Sequence, residues 1–207
     1  MSIGEVIKAK RIEEVLHFTT TPGLTGILHQ RKVQARAFLK NDQTLAFILK
    51  LNTAKNYDPK WKEYVNLSIS RINRSLFGKS ENWHPDEKWR ILAFDPMILT
   101  HEGVHFVTTN NAYWQHLFRG TGAASLEKLF AKGVRGVYNT LVQRTSTMPD
   151  CWTTDVQAEV LYPKAVSTEF LKKIYVRTES EADSVAGKIA ALRHPEISIE
   201  VRPDRFA

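Results

Sequence analysis

The stretch Asp155-Val156-Gln157-Ala158-Glu159-Val160-Leu161-Tyr162 is the most informative in the chain. It reads as a strand from Val156 to Tyr162, closed by Pro163, which cannot donate to a sheet ladder. Side chains alternate along a strand, so Gln157 and Glu159 are expected on one side while Val156, Ala158 and Val160 pack on the other. An amide and a carboxylate side by side can hold a hydroxyl and an amino group at once, since the carboxylate accepts and the amide both donates and accepts. The spacing alone is weak: a solvent-facing strand with two polar residues accounts for it more simply.

Outward from this strand the chain alternates short strands and helices. Glu14 to Thr19 reads as a strand, after which Thr21 as N-cap and Pro22 at the first helical position open a helix through Leu24, Ile27 and Leu28. A short apolar stretch at Val33 to Ala35 follows. The segment Phe38 to Glu63 is mixed and charged, with a helix expected around Leu45 to Leu51 and a loop at Asn56 to Pro59. Tyr64 to Ser70 alternates strictly, with Val65, Leu67 and Ile69 on one face and Asn66, Ser68 and Ser70 on the other. Trp89 to Phe94 and Val104 to Thr108 read as strands, Asn110 to Phe118 and Ser125 to Lys132 as helices. Lys173 to Arg177 reads as a strand, Thr178 with Glu181 has the form of a capping box before a helix, and Ile197 to Val201 is a final strand. About seven short strands, without regular βαβ alternation or a glycine-rich phosphate loop, predict an α+β fold rather than a doubly wound sheet.

A chain of 207 residues suits one well-buried core and is short for two, so 1–207 is expected to form a single domain. The hydrophobic fraction of 43% and charged fraction of 25% argue against disorder and against a fibrous repeat. No apolar run reaches the ~18–20 residues of a membrane span, and the first residues lack a secretory pattern. A cytoplasmic location is therefore expected, and the single Cys151 fits a reducing compartment. The net charge of +7 favours polyanionic partners if the excess gathers on one face. From Lys50 to Lys79 basic residues are interleaved with Tyr57, Trp61, Tyr64 and Phe77, a mixture suited to phosphate contact and base stacking, though composition alone equally describes a solvated surface. No metal is expected: His101 and His105 have ligand-like spacing, but no cysteine or acidic cluster completes a set. His17-Phe18-Thr19, at the end of the first strand, offers an imidazole and a hydroxyl beside a turn; a lone histidine is more often structural.

In combination, His17-Phe18-Thr19, Tyr64 to Asn73 (YVNLSISRIN), Val107 to Trp114 (VTTNNAYW) and Asp155 to Pro163 resemble, in order, the DarT family of bacterial DNA ADP-ribosyltransferase toxins, over about residues 12 to 178. The last motif also looks like the Gln-x-Glu element of other ADP-ribosyltransferases. The resemblance implies an ADP-ribosyltransferase fold, two small split β-sheets with flanking helices around a cleft for NAD. By that resemblance Glu159 is the catalytic carboxylate, His17, Phe18 and Thr19 line the NAD site, and Asn66, Ser68 and Ser70 face the nicotinamide end. Thr109, Asn110 and Asn111, with Gln157, fall to the substrate side. The chain departs from thymine-modifying members in lacking a proline-rich loop with an arginine over Lys55 to Glu63, so Arg36 or Arg74 is expected to supply the phosphate contact.

The implied activity is NAD-dependent transfer of ADP-ribose to a nucleobase of single-stranded DNA, guanine slightly ahead of thymine, in a toxin–antitoxin or phage-defence setting. The implied partners are the DNA strand and an antitoxin that removes ADP-ribose. RNA bases, a protein acceptor, and a non-catalytic nucleic-acid-binding module are the alternatives.

Overall fold

The alternation in Tyr64–Ile69 (β3) builds the centre of the structure. Val65, Leu67 and Ile69 are buried in the main core, while Asn66 and Ser68 on the opposite face remain accessible. The computed structural model describes residues 1–39, 61–112 and 117–207. Around β3 lie β1 (Val15–Thr20), β2 (Lys32–Gln34), β4 (Trp89–Phe94), β5 (His105–Val107), β6 (Arg119–Gly120), β7 (Gly133–Arg135) and β8 (Leu141–Gln143). The chain continues through β9 (Glu159–Pro163), β10 (Ala165–Ser167), β11 (Leu171–Val176) and β12 (Ser198–Val201). The longer helices are α1 (Ile3–Ala9), α2 (Thr21–Gln30), α3 (Arg74–Trp83), α4 (Gly122–Lys128) and α5 (Glu179–Ala191).

Eight strands run in the order β12-β11-β4-β1-β3-β9-β5-β6. β1 pairs with β4 over six residue pairs, yet with β3 only at Val15↔Ile69 and Leu16↔Ser68. Past Leu16 the two strands part, and the sheet divides into β12-β11-β4-β1 on one side and β3-β9-β5-β6 on the other. This is the expected α+β architecture of two small sheets with flanking helices around a cleft. Leu67, Leu92, Phe106, Val160 and Ile174 fill the main core, each such side chain stabilising by roughly 1.5–3 kcal/mol when fully buried. A second cluster on the opposite face joins Leu16, Phe77, Trp89, Ile91 and Tyr175. Arg90, itself buried, pairs with Glu181 at 3.2 Å and ties β4 to the start of α5.

Several expected boundaries move. The N-cap of α2 is Thr20, whose hydroxyl accepts the Gly23 N–H at 3.3 Å, one residue before the expected Thr21. The strand expected from Val156 starts at Glu159, because the Asp155 carboxylate accepts the Gln157 N–H at 2.8 Å and the Asp155 carbonyl accepts the Ala158 N–H, which closes a turn. The expected helix from Asn110 does not start there: the Asn110 side chain accepts the Ala112 N–H at 2.9 Å, a local turn that competes with helix. The chain is in strand by Arg119. The expected helix over Ser125 to Lys132 runs over Gly122–Lys128. Twelve strands stand among the described residues, against about seven expected, since two- and three-residue strands leave no periodic signal. The helix around Leu45 to Leu51 and the loop at Asn56 to Pro59 lie outside the described residues.

Candidate active site

Glu159 begins β9 and is buried. Its neighbours follow from register: Val107 of β5 pairs with Glu159, and Arg119 of β6 pairs with Val107. Residues paired across strands share a face, so these three side chains form one row. The next row is Asn66, Leu161 and His105. Two donors converge on one oxygen of the carboxylate: Asn66 Nδ2 at 3.1 Å and the Asn111 backbone N–H at 2.9 Å. Hydrogen bonds to a carboxylate run about twice as strong as neutral ones and fix its rotamer.

Each donor is itself held. The Asn66 carbonyl, which can only accept, faces His17 Nδ1 at 3.1 Å, so Nδ1 carries the proton and Nε2 presents a lone pair. Burial pushes the His17 imidazole below its ordinary range, the carbonyl bond opposing the shift more weakly. His17 therefore stands neutral at the point where β1 and β3 part. On the other side the Asn111 side-chain oxygen accepts Arg119 Nε at 2.7 Å and also an Arg119 terminal nitrogen. The Arg119 guanidinium lies 4.3 Å from the Trp61 ring centroid, and Trp61 packs against Tyr64 and His105. The cradle thus joins both sheets: His17, Asn66, Glu159, Asn111, Arg119 and Trp61.

Two buried donor atoms in the segment beside Glu159, Thr109 Oγ1 and Asn111 Nδ2, have no hydrogen-bond partner among the described residues. A buried polar atom left unpaired costs ~1–3 kcal/mol, and a hydroxylated or amide-bearing ligand entering the cleft would relieve that cost. Thr19 is buried, and a Cβ on Gly23 would collide with its hydroxyl, so the first turn of α2 packs directly on β1. The donor set fits the ribose and amide chemistry of NAD.

The structure brings together His17, Asn66, Ser68, Thr109, Asn111 and Glu159, and leaves others apart. Ser68 is half-buried on the Glu159 face. Phe18 turns into the second core cluster, edge-on to Phe77 at 5.2 Å. Asn110 serves the turn described above. Gln157 lies in the turn before β9 and not beside Glu159 on a strand, which corrects the expected pair. Arg36 sits half-buried in the short helix Arg36–Leu39, where burial lowers its guanidinium pKa. Arg74 is exposed at the start of α3, near enough to repel the charge of Arg71 beyond the far end of β3. Ser70, at φ 59°, is buried, its hydroxyl without a hydrogen-bond partner among the described residues, and borders a groove of about 520 Å³ with Arg11, Trp152 and Arg205. His101 bonds Tyr162 and His105 bonds the Gly103 carbonyl; among the described residues no group of His, Cys, Asp or Glu could hold a metal. Sequence reading missed Arg119, which stands in no recognisable motif and is revealed only by the β9-β5-β6 register. Trp61, expected among the stacking aromatics, instead packs on Arg119, Tyr64 and His105.

The profile of the DarT family, described as "ssDNA thymidine ADP-ribosyltransferase, DarT", matches residues 16–207. No curated protein matches the chain. Among solved structures, Thermus sp. 2.9 DarT in complex with NAD⁺ is similar with a TM-score of 0.64 at 16% identity, covering 94% of this chain and 98% of that one. The same protein in complex with ADP-ribosylated ssDNA gives 0.63 at 17% identity, over 95% and 97%. Thermosipho africanus DarTG in complex with ADP-ribose gives 0.60 at 15% identity, over 94% of this chain and 51% of that one. At these identities the structures establish the shared fold, and the profile establishes the family. With its split sheet and its buried, doubly bonded glutamate at the head of β9, the chain belongs to the DarT family of ssDNA thymidine ADP-ribosyltransferases.

Proposed function

We propose that this chain transfers ADP-ribose from NAD to a base of single-stranded DNA, with Glu159 as the carboxylate at the reacting ribose. The observation that carries the reading is the Glu159 cradle, built from both sheets at the mouth of the cleft. In the reaction the bond between the ribose C1′ and the nicotinamide nitrogen breaks, nicotinamide leaves neutral, and a base nitrogen bonds to C1′. Positive charge grows on the ribose as the bond opens, and a fixed carboxylate stabilises it without reorganising. Glu159 is also placed to take the proton that the base nitrogen gives up, a contribution of typically ~10²–10⁴-fold. His17 Nε2 and the unpaired donors of Thr109 and Asn111 are the NAD-binding groups in this reading, with Asn66 and Ser68 beside them. A stacked base cannot enter such a site, so the substrate is a single strand.

The preferred base is thymine, the one the family description names. Guanine rests on two grounds, Gln157 standing beside Glu159 on a strand and the lack of the proline-rich loop of thymine-modifying members; the turn at Asp155 removes the first. The setting we propose is a cytoplasmic toxin acting as one domain, opposed by an antitoxin that removes ADP-ribose, in a toxin–antitoxin or phage-defence role. Family membership is the support for it, and no helix among the described residues is long and apolar enough to cross a membrane. Incubation with labelled NAD and separate pools of single-stranded DNA, RNA and protein tests the reading. Label in the DNA pool alone is expected, and label confined to protein would overturn it.

A further inference from the structure

We propose that the tip of the β7–β8 hairpin, with Tyr138 at its apex, is a stacking platform for a nucleobase of the single strand that carries the target. The inference rests on the reading of the chain as an enzyme of single-stranded DNA. Tyr138 is 85% exposed, the most open of the large hydrophobic side chains among the described residues, and Leu141 beside it is 55% exposed. The backbone under it is unusual. Tyr138 (φ 55°, ψ 29°) and Asn139 (φ 59°) both lie in the left-handed region, and the Thr140 N–H donates to the Val137 carbonyl across them at 3.2 Å. That is the type I′ pattern, whose two central positions favour Asn and Gly. Asn139 conforms and Tyr138 does not: a bulky residue at positive φ is a genuine outlier. An unfavourable conformation persists where the surroundings over-determine it. Here Arg135 Nη1 donates to the Asn139 carbonyl at 3.2 Å, and the Gly136 N–H donates to the Thr140 carbonyl at 2.8 Å.

The hairpin is also stapled to the approach to Glu159. The Thr154 N–H donates to the Leu129 carbonyl at 2.7 Å, and the Thr154 hydroxyl to the Ala131 carbonyl at 2.5 Å. Arg144, just after β8, donates to the Trp152 carbonyl at 2.6 Å. A Cβ on Gly136 would fall 3.0 Å from an Asp155 carboxylate oxygen, and Asp155 opens the turn that leads into Glu159. An exposed ring is therefore rigidly tied to the segment that presents the catalytic carboxylate. Its charge setting selects the partner. Beside the turn stands Arg135, paired with Leu141, and from Gly133 to Gln143 the hairpin carries no acidic residue. An aromatic ring beside a cation is the chemistry that tracks single strands, with a phosphate on the cation and a base on the ring.

The stability and the binding roles of Tyr138 are separable, because the turn prefers another residue. Tyr138→Asn suits the left-handed position and is expected to leave the melting temperature unchanged or higher. The same change is expected to weaken binding of a single-stranded oligonucleotide about 5- to 150-fold, the equivalent of ~1–3 kcal/mol per stacked base. The slope of log Kd against log salt should not move, since stacking releases no counterions. Tyr138→Phe should bind like the parent. Fluorescence anisotropy and thermal melts on the full chain measure all four. Unchanged affinity in Tyr138→Asn would overturn the proposal, as would a loss of affinity accompanied by a clear fall in melting temperature, which would mark Tyr138 as structural. If the parent protein itself neither binds nor modifies single-stranded DNA, the functional reading fails with it, an outcome distinct from a Tyr138 result alone.

Discussion

One carboxylate oxygen of Glu159 receives both donors, and the residues behind those donors decide how still it is held. Arg119 is a positioning residue in this sense: it fixes Asn111, whose N–H fixes Glu159. Arg119→Ala is expected to lower kcat about 10-fold, the size of one lost charge-assisted hydrogen bond, while KM for NAD stays near that of the parent. Partial recovery in Arg119→Lys would support the link; an effect on KM alone would contradict it. His17 carries a pH prediction. Its folded pKa is depressed by burial, so the unfolded chain binds the proton more readily and stability rises with pH in that window. The contribution is fully present above about 6.5 and is lost as pH falls through the lower folded value. Urea melts between pH 7.5 and 5 should show a loss that His17→Gln removes. At this scale His17 and Glu159 could be singled out through the ordered combination of short motifs that resembles the family, and the structure brings the two into one cradle. Arg119 escaped sequence reading because its role depends on pairings between strands far apart in sequence.

Among the elements, the strands Tyr64 to Ser70 and Trp89–Phe94 were legible, since a period of two or a run rich in aromatic and aliphatic residues survives in any context. The burial of Arg90 within the second was not, because it rests on the distant Glu181. The head of β9 was not. Val156 and Gln157 continue the alternation by composition, yet the Asp155 side chain captures the Gln157 N–H and breaks the strand before Glu159. The short strands β6, β7 and β8 were equally invisible, being two or three residues long. Where α2 meets β1, contact is close enough to test by substitution. Gly23→Ala places a methyl on the Thr19 hydroxyl and is expected to cost roughly 1–3 kcal/mol, the range for overpacking. In a Thr19→Ala background the same change should cost much less. A double-mutant cycle by denaturant unfolding checks it, and additive effects would mean the packing gives way elsewhere.

Over the whole molecule, 29 basic residues face 22 acidic ones. If the excess serves a phosphate backbone, affinity for a single strand should fall with salt at a log–log slope near −0.7 per phosphate contacted. A flat salt dependence would argue that the charge is ordinary surface. The class of fold followed from counting short strands without βαβ alternation, and the split of the sheet followed only from the resemblance, since the parting of β1 from β3 rests on two residue pairs that no periodicity reveals. The central claim joins that split to chemistry: a glutamate held where the sheets diverge drives ADP-ribose transfer to DNA. Its most direct test is mass spectrometry of a single-stranded oligonucleotide with one thymidine, incubated with NAD and either the parent or Glu159→Gln. Glu159→Gln preserves shape and removes charge, so the account predicts an ADP-ribosylated strand with the parent and at least a ~100-fold slower reaction with the variant, both melting alike. Transfer by Glu159→Gln at a rate near that of the parent would contradict it.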